Sequence, residues 1–284
     1  MHLKLNISIL ILSLLLLQTG TDDFRSRVIF KKQKVTKWAL RSYQKHFNGK
    51  CLELEIKEVT VYAFSIENFK RSPEEVDTLM TLAREKFAKV MEEKDKLMEK
   101  GVKLQVIGNI KLLPEDLQKS IADAVILTKN NEKSVLNVAF AYTSRDEITN
   151  SIKTIAEGIN EQDLEADDLN HSLIDQCLYT RQCRDVDLLV RTSGEMRFSD
   201  FLLWQTQSTV FYFTEALWPE FTLWHLLAAI FYYQRCYIRT KILKSYFQEK
   251  TPTISDNKRV VNFLSKVDKQ RYQELVEIQK SRVV

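Results

Sequence analysis

Apolar runs of strand length alternate with helical patterns along most of this chain. The runs lie at 58–64, 102–108, 134–142 and 185–191, and a fifth lies within 209–221. The first, EVTVYAF, is β-branched and aromatic, which is typical of an inner strand. This alternation is typical of a mostly parallel sheet with helices packed over it. We therefore predict an α/β fold in which a central, mostly parallel sheet is surrounded by helices.

Capping signals predict where two of the helices begin. The sequence SPEE at 72–75 combines a capping serine, a proline at the first helical position and a glutamate at the third, which predicts a capping box. The helix that follows is expected to end near Gly101. A second capping box is predicted for SRDE at 144–147, at the start of a helix that ends by Gly158. From residue 222 the pattern is helical again, which predicts a helical C-terminal extension.

The N-terminal apolar run has the layout of a secretory signal peptide. ISILILSLLLL at 7–17 follows His2 and Lys4 and precedes a polar stretch. The run is too short to span a bilayer comfortably. We therefore expect residues 1–50 to be an atypical N-terminal segment with a signal-like apolar core.

Composition narrows the classes of function. The chain has 284 residues and a net charge of +4, with lysines and arginines spread throughout. Nucleic acid is therefore not an expected partner. The four cysteines show no CxxC pairing and are expected to be reduced thiols. The sequence contains no HExxH motif and no His/Cys cluster of the kind that binds zinc.

Two loops that follow predicted strands carry the candidate chemistry. In sheets of this kind, ligands bind where the carboxyl ends of the strands meet. After the fourth predicted strand, Arg191, Arg197 and Ser199 lie around a glycine turn. Two guanidinium groups and a hydroxyl suit phosphate or diphosphate. The alternative is a set of surface ion pairs with Glu195 and Asp200, which would contribute little.

The other loop runs from Ser65 to Arg71 and leads into a helix N-terminus, which itself favours anions. Its hydroxyl, its amide at Asn68 and its guanidinium could bind a second anion. The structural alternative is that Asn68 forms a turn, Glu75 takes part in helix capping and Arg71 is solvated. Apolar residues near both loops suit a ligand with a phosphate head and an apolar body.

Four segments resemble the cis-prenyltransferases, the family of undecaprenyl and dehydrodolichyl diphosphate synthases, and the resemblance is strongest to eukaryotic members. They are VTVYAFSIENFKRS at 59–72, FAYTSRDEI at 140–148, VDLLVRTSGEMRFSDFLLWQ at 186–205 and LWPEF at 217–221. The resemblance implies an enzyme that adds isopentenyl diphosphate to an allylic diphosphate such as farnesyl diphosphate, with Mg²⁺. The product would be a long-chain cis-polyprenyl diphosphate for dolichol synthesis and protein glycosylation.

The resemblance also implies roles for the two loops. Arg191, Arg197 and Ser199 are expected to bind the diphosphate of isopentenyl diphosphate. Ser65 and Asn68 are expected at the reacting centre, beside the allylic substrate.

Further roles implied by the resemblance lie next to the reacting centre. Arg71 and Glu75 are expected to support the substrate-binding loop, and the helix at 73–99 is expected to form one wall of the tunnel for the growing chain. The DDxxD metal motif of the all-helical prenyltransferases is absent, which argues against that class.

The chain departs from the family at its first motif. That motif, a strand ending in Met-Asp-Gly-Asn-Arg-Arg, supplies the family's magnesium-binding aspartate and phosphate loop, and it is absent from this sequence. The nearest substitute, DDFRSR at 22–27, lacks the glycine. We therefore expect the central strand and phosphate loop to be missing and no metal ligand to be assignable. A catalytically impaired isoform or a pseudoenzyme subunit is the alternative function.

The same comparison of motifs indicates a partner. The place of a metal-binding glutamate of the homomeric bacterial relatives is taken by Val210, and the chain ends in SRVV without the family's C-terminal Arg-x-Gly. Both features suggest a heteromeric enzyme completed by a subunit resembling the Nogo-B receptor.

The resemblance also bears on location and on the division of the chain. It implies the cytosolic face of the endoplasmic reticulum membrane, with which the signal-like leader conflicts. We predict a cis-prenyltransferase domain at 51–245, incomplete at its N-terminal end, and a basic helical tail at 246–284.

Overall fold

A single parallel sheet organises the molecule, and it confirms the predicted fold class. The computed structural model describes residues 8–12, 51, 53–249 and 257–281. Within these residues the sheet has six strands in the order β3-β4-β2-β1-β5-β6, and all five pairings are parallel. The strands are Ser8–Leu12 (β1), Glu58–Ser65 (β2), Val102–Ile107 (β3), Ser134–Tyr142 (β4), Leu188–Arg191 (β5) and Val210–Phe213 (β6).

Helices connect and cover these strands, as the alternating pattern predicts. They are Pro73–Glu92 (α1), Lys94–Lys100 (α2), Glu115–Thr128 (α3), Ser144–Asn160 (α4), His171–Cys177 (α5), Leu223–Glu249 (α6) and Lys258–Lys280 (α7). Gly101 ends α2 in the left-handed conformation, with φ of 62°, as expected for a C-terminal glycine.

The central position of the sheet is filled, which corrects the prediction that this strand is missing. Residues of β1 pair with β2 on one side, as in Ser8 with Glu58, and with β5 on the other, as in Leu12 with Arg191. The apolar run that resembles a signal peptide therefore supplies the central strand. A parallel strand in the middle of a sheet is typically a continuous apolar run, so the two patterns are alike in sequence.

The helix starts follow the predictions only in part. Ser72 caps α1 by accepting a hydrogen bond from the Glu75 backbone N–H over 3.4 Å, but the Glu75 carboxylate lies beside Arg71. The cap of α4 is Thr143, whose hydroxyl accepts from the Asp146 N–H over 3.3 Å. The predicted cap, Ser144, is instead the first helical residue and is fully buried.

Two apolar clusters hold helices against the sheet. α6 packs on β5 and β6, where its residues Leu226 and Ile230 contact Leu188 and Val190. α1 and α3 pack over β2 and β4 through a second cluster; its buried members include Phe64, Met80, Phe87, Leu117, Ile121 and Phe140. Burial of a side chain of this size contributes about 1.5–3 kcal/mol, so these clusters fix the helices that flank the site.

The helix α7 packs into the domain through a cluster of its own. Phe263 and Val267 are buried against Ile155 of α4 and Leu173 of α5. The ring of Phe263 lies so close to Gly158 that a Cβ added there would be 2.4 Å from it. Gly158 is therefore a packing position inside α4, which continues to Asn160, and the prediction that the helix ends by Gly158 is wrong.

Candidate active site

The two loops singled out from the sequence lie at the same edge of the sheet. β2 ends at Ser65 and β5 ends at Arg191, with β1 between them. Two strand spacings, about 10 Å, separate β2 from β5. The chain places β2, β4 and β3 on one side of β1, and β5 and β6 on the other side. In open α/β sheets, such a change of direction is the topological switch point, where ligands bind at the carboxyl ends of the strands.

Ser65 and Asn68 close a tight turn on each other at the end of β2. The Ser65 N–H donates to Asn68 Oδ1 over 2.9 Å, and Ser65 Oγ accepts from the Glu67 N–H over 3.2 Å. Both residues are buried, and together they form the capping box of the 3-10 helix Ile66–Lys70. The structural interpretation of Asn68 as a turn residue is confirmed, and the turn holds both side chains at the strand end.

Arg71 is directed back onto the helix that follows the loop. Its Nη1 lies 3.8 Å from Glu75 Oε2, and its side chain is only 14% exposed whereas that of Glu75 is 41% exposed. The alternative of a solvated Arg71 is therefore wrong. Glu75 contacts the loop through this pair, which is the geometry expected of a residue that supports it.

Arg191 is a buried guanidinium at the end of β5. It is 2% exposed, and its Nε makes no hydrogen bond with any residue that the structure describes. Burial lowers the Arg191 pKa, and the Arg197 guanidinium acts in the same direction while the Glu195 carboxylate opposes both. A buried charge with an unsatisfied donor costs free energy unless a ligand completes it.

Arg197 behaves differently from Arg191. Its side chain is 61% exposed and pairs with Glu195. The predicted alternative of a surface ion pair with Glu195 therefore holds for Arg197, whereas Arg191 has no such pair among the described residues. An incoming anion would have to compete with Glu195 for Arg197.

The segment between Ser193 and Leu202 has an unusual backbone. Ser193, Ser199, Asp200 and Leu202 all have positive φ, between 46° and 71°. Each such non-glycine residue costs on the order of 1 kcal/mol, and strain of this kind clusters at functional sites. Gly194, with φ of 69°, has nothing within 4 Å of an added Cβ, so the glycine serves the turn rather than packing.

The start of α4, directly after β4, lies at the same edge. Arg145 donates from Nε to Asp200 Oδ2 over 2.8 Å, and its Nη2 lies 3.8 Å from Glu67 Oε1. One guanidinium therefore joins the loop after β2 to the loop after β5. Arg145 and Asp200 were not among the predicted site residues. Their signal in the sequence is the position of Arg145 directly after a predicted strand, the same criterion that identified Ser65 and Arg191.

A second feature that sequence reasoning missed lies beneath the loops. The rings of Tyr62 and Phe201 stack with centroids 4.2 Å apart and planes 6° apart. The Tyr62 hydroxyl donates to the Tyr142 carbonyl over 2.9 Å, and burial raises its pKa. This aromatic floor ties β2 to the segment that carries Ser199.

An apolar cavity of about 240 Å³ begins beside the reacting edge. It lies between α1 and α2 on one side and β2, β3 and β4 on the other. Its wall includes Phe64, Ala83, Phe87 and Phe140, and Phe64 directly precedes Ser65. The prediction of one helix over 73–99 is wrong, because the segment divides at Glu93 into α1 and α2. Both helices face an apolar space of the kind that binds a hydrocarbon chain.

Residues 34–241 match the family model described as "Putative undecaprenyl diphosphate synthase". The chain belongs to this cis-prenyltransferase family. The match spans β2 to β6, both loops, the start of α4 and the cavity.

The chain is also similar in sequence to individual cis-prenyltransferases. The chain is 57% identical over 170 residues to the dehydrodolichyl diphosphate synthase complex subunit of Homo sapiens, covering 60% of this chain and 51% of that protein. It is 42% identical over 185 residues to the tritrans,polycis-undecaprenyl-diphosphate synthase (geranylgeranyl-diphosphate specific) of Thermoplasma volcanium, covering 65% and 71%. The chain spans about half the length of the mammalian relatives it matches, 51% and 56% for the human and mouse proteins.

A solved structure shows the same architecture. The lavandulyl diphosphate synthase of Lavandula x intermedia, in complex with dimethylallyl diphosphate, has a TM-score of 0.70 and 30% sequence identity. The similarity covers 80% of this chain and 94% of that one.

No metal ligand is assigned among the residues that the structure describes. The family generally uses Mg²⁺, but residues 8–12, 51, 53–249 and 257–281 contain no group of three His, Cys, Asp or Glu side chains placed to hold an ion. Val210 is buried in β6, so it offers no ligand. The candidate substitute at 22–27 lies outside the described residues.

Proposed function

We propose that this chain is the catalytic subunit of a cis-prenyltransferase. It would condense isopentenyl diphosphate onto farnesyl diphosphate or a similar allylic diphosphate, and make long-chain cis-polyprenyl diphosphate for dolichol synthesis and protein glycosylation. The observation that carries the proposal is Arg191, a buried guanidinium with an unsatisfied Nε, at the sheet edge that also carries Ser65, whose neighbour Phe64 lines an apolar cavity.

The proposed reaction assigns each loop a task. Arg191, Arg197 and Ser199 would bind the diphosphate of isopentenyl diphosphate through charge-assisted hydrogen bonds, each contributing about 1.5–3 kcal/mol. Ser65 and Asn68 would orient the allylic substrate. The C–O bond of that substrate breaks, its diphosphate departs with the electron pair, and the double bond of isopentenyl diphosphate attacks the allylic carbon before a proton is lost.

The cavity would hold the growing chain and keep water away from the allylic carbon. Exclusion of water strengthens the electrostatic interactions with the departing diphosphate. Orientation of the two substrates supplies much of the remaining rate enhancement. Arg71 and Glu75 would hold the loop after β2 in a fixed position relative to α1.

Dependence on Mg²⁺ is part of the proposal. When bound, the ion would neutralise charge on the departing diphosphate. The described residues do not assemble a site for it, so we assign no ligand.

The partner subunit is proposed to dock on α6. One face of this helix contacts β5 and β6, yet Trp224, Phe231, Ile238 and Ile242 on another face are between 63% and 79% exposed. A helix that is apolar on two faces is normally covered on both, and an exposed apolar stripe marks an interaction surface. The mammalian relatives are named as subunits of a complex. We propose that the occupant is a subunit resembling the Nogo-B receptor.

The proposed location is the cytosolic face of the endoplasmic reticulum membrane. In the described part of the chain, no helix has both the length and the apolar character needed to cross a bilayer. Attachment to the membrane through the partner subunit is consistent with this finding.

The alternative of a catalytically impaired subunit is less well supported. One of its two arguments was a missing central strand, and that position is occupied by β1. The relatives compared above are named as synthases or synthase subunits.

The test is an assay of the full chain with its partner subunit, farnesyl diphosphate, radiolabelled isopentenyl diphosphate and Mg²⁺. The proposal expects long-chain product that disappears on chelation of the metal and on Arg191→Gln. Binding of isopentenyl diphosphate without any turnover would instead establish the non-catalytic alternative.

A further inference from the structure

Side chains of the C-terminal helix α7 form hydrogen bonds with a short segment before β5. This segment, residues 177–181, is called the strap. Arg271 donates from Nη2 to the Cys177 carbonyl over 2.6 Å and from Nη1 to the Leu178 carbonyl over 3.1 Å. Arg181 donates from Nε to Asp268 Oδ1 over 2.6 Å. Both ends of the strap are therefore bound by side chains of one helix.

The strap in turn binds the start of α4 through Glu147. Thr180 donates to Glu147 Oε1 from its backbone N–H over 2.9 Å and from Oγ1 over 2.8 Å. Glu147 is fully buried and also accepts a hydrogen bond from the Tyr142 hydroxyl. A buried carboxylate with this many donors holds its partners in one arrangement, because leaving any of them unpaired is costly.

The same buried group reaches the segment that follows Ser199. Gln205 donates from Nε2 to Glu147 Oε2 over 2.8 Å and to Thr180 Oγ1 over 2.6 Å. Two further bonds fasten this segment to Ser144: the Leu203 N–H donates to Ser144 Oγ, and the Ser144 N–H donates to the Asp200 carbonyl, each over 2.8 Å. Hydrogen bonds therefore connect α7 to the strap, and the strap to the loop after β5. The backbone of the strap joins the two sets.

We propose that Arg271 is a positioning residue for isopentenyl diphosphate binding, acting through the strap, Glu147 and Gln205 on the loop that carries Arg197 and Ser199. The inference rests on the proposed function of that loop. The strained φ angles at Ser199 and Asp200 need surrounding contacts to maintain them. Release of the strap would let the loop relax and move its hydrogen-bond donors away from the diphosphate. A displacement of about 1 Å is enough to weaken such an interaction.

The test compares Arg271→Gln with Lys266→Gln in the full chain with its partner subunit. Lys266 lies on the same helix but pairs with Glu161 and Asp163, away from the strap. Arg271→Gln is expected to weaken isopentenyl diphosphate binding, measured by calorimetry and by KM, roughly tenfold, with the KM for the allylic substrate changed less than about twofold. Arg271→Lys should recover part of the loss, since an ammonium can reach one carbonyl.

Two further measurements separate positioning from loss of stability. Phe263→Leu weakens the packing of α7 but removes none of the hydrogen bonds that Arg271 and Asp268 make with the strap, and it should lower the melting temperature while leaving the KM for isopentenyl diphosphate unchanged. Hydrogen exchange at the amides of 199–205 should accelerate in Arg271→Gln and not in Phe263→Leu.

The outcomes are distinct. Unchanged isopentenyl diphosphate affinity in Arg271→Gln, or an equal loss for both substrates that Phe263→Leu reproduces, would overturn the positioning role while leaving the proposed function intact. Wild-type protein that binds no isopentenyl diphosphate would overturn the proposed function, and the positioning role with it.

Discussion

Arg145 at the start of α4 is bonded to Asp200 in the loop after β5, 55 residues later in the sequence: Nε of the arginine donates to Oδ2 of the aspartate over 2.8 Å. The Arg145 backbone N–H also donates to the other carboxylate oxygen, Oδ1, over 3.2 Å. Asp200 therefore satisfies one of the free N–H groups at the start of α4 and fixes the residue next to Ser199.

Arg145→Gln should reduce isopentenyl diphosphate affinity more than it reduces stability. The Arg145 side chain is 75% exposed, and exposed ion pairs contribute at most about 1 kcal/mol to stability. Loss of the link to Asp200 nevertheless frees the loop after β5, so we expect a rise in KM of roughly three- to tenfold. Arg84→Gln, which removes a pair with Asp116 between α1 and α3, is the matched control and should leave KM unchanged.

Arg191→Gln should abolish diphosphate binding without lowering stability. The variant removes a buried charge that has an unsatisfied Nε, so the free energy of unfolding of the unliganded protein should stay the same or increase by about 1 kcal/mol. Inorganic diphosphate should raise the melting temperature of wild type and of Arg84→Gln, but not that of Arg191→Gln. A large drop in stability of the unliganded variant would show that Arg191 has a structural role instead.

Ala83→Phe should shorten the products. Ala83 is buried on the wall of the apolar cavity, and a phenyl ring there would occupy space needed by the growing chain. We expect a shift of the product distribution to shorter polyprenyl diphosphates on thin-layer chromatography, with the first condensation preserved. Ala88→Phe, on the exposed side of the same helix, should keep the wild-type distribution; the same shift in both variants would rule out the cavity as the chain's site.

The anchoring of α7 should weaken at low pH. Hydrogen bonds from Arg259, the Glu165 N–H and Asn257 lower the pKa of Asp168 from 3.8 to about 2. Because the pKa is lower in the folded state, the contribution to stability is present above pH 3.8 and is lost as the pH falls towards 2. Asp168→Asn should cost roughly 1 kcal/mol at pH 7 after solvent screening.

Denaturant unfolding at several pH values checks this expectation. The difference between wild type and Asp168→Asn should shrink below pH 3.8. Asp167→Asn changes the exposed neighbouring residue and controls for the loss of one negative charge. A difference that is constant from pH 7 to pH 2 would contradict the role given to Asp168.

Phe231→Glu should separate the chain from its partner subunit. The side chain is 63% exposed in the middle of the apolar stripe on α6, and a carboxylate there would have to be desolvated on docking. We expect loss of co-purification and of partner-dependent activity. Ile152→Glu introduces the same charge at an exposed apolar position of α4 and should leave the complex intact, so equal loss in both variants would argue against the stripe.

Local sequence patterns were sufficient to predict most of the strands and helices. The alternation of strand and helix signals predicted β2 to β6, and the rule that ligands bind at the carboxyl ends of strands predicted that the loops at Ser65 and Arg191 share an edge. The capping signal at Ser72 and the left-handed Gly101 were also readable, because each depends on a few neighbouring residues.

Other features depend on contacts between distant parts of the chain. The run at 7–17 has the layout of a leader, and only the pairing of residues 8–12 with β2 and β5 identified a central strand within it. Likewise, one arginine of the loop after β5 is paired at the surface and the other is buried, although the sequence presents them alike. By itself the sequence determined the elements, the family and the chemistry of the loops. The tertiary structure alone decided which strand is central, which guanidinium is buried and which is paired at the surface, and how α7 connects to the loop after β5, because burial and pairing are set by residues far away in the chain.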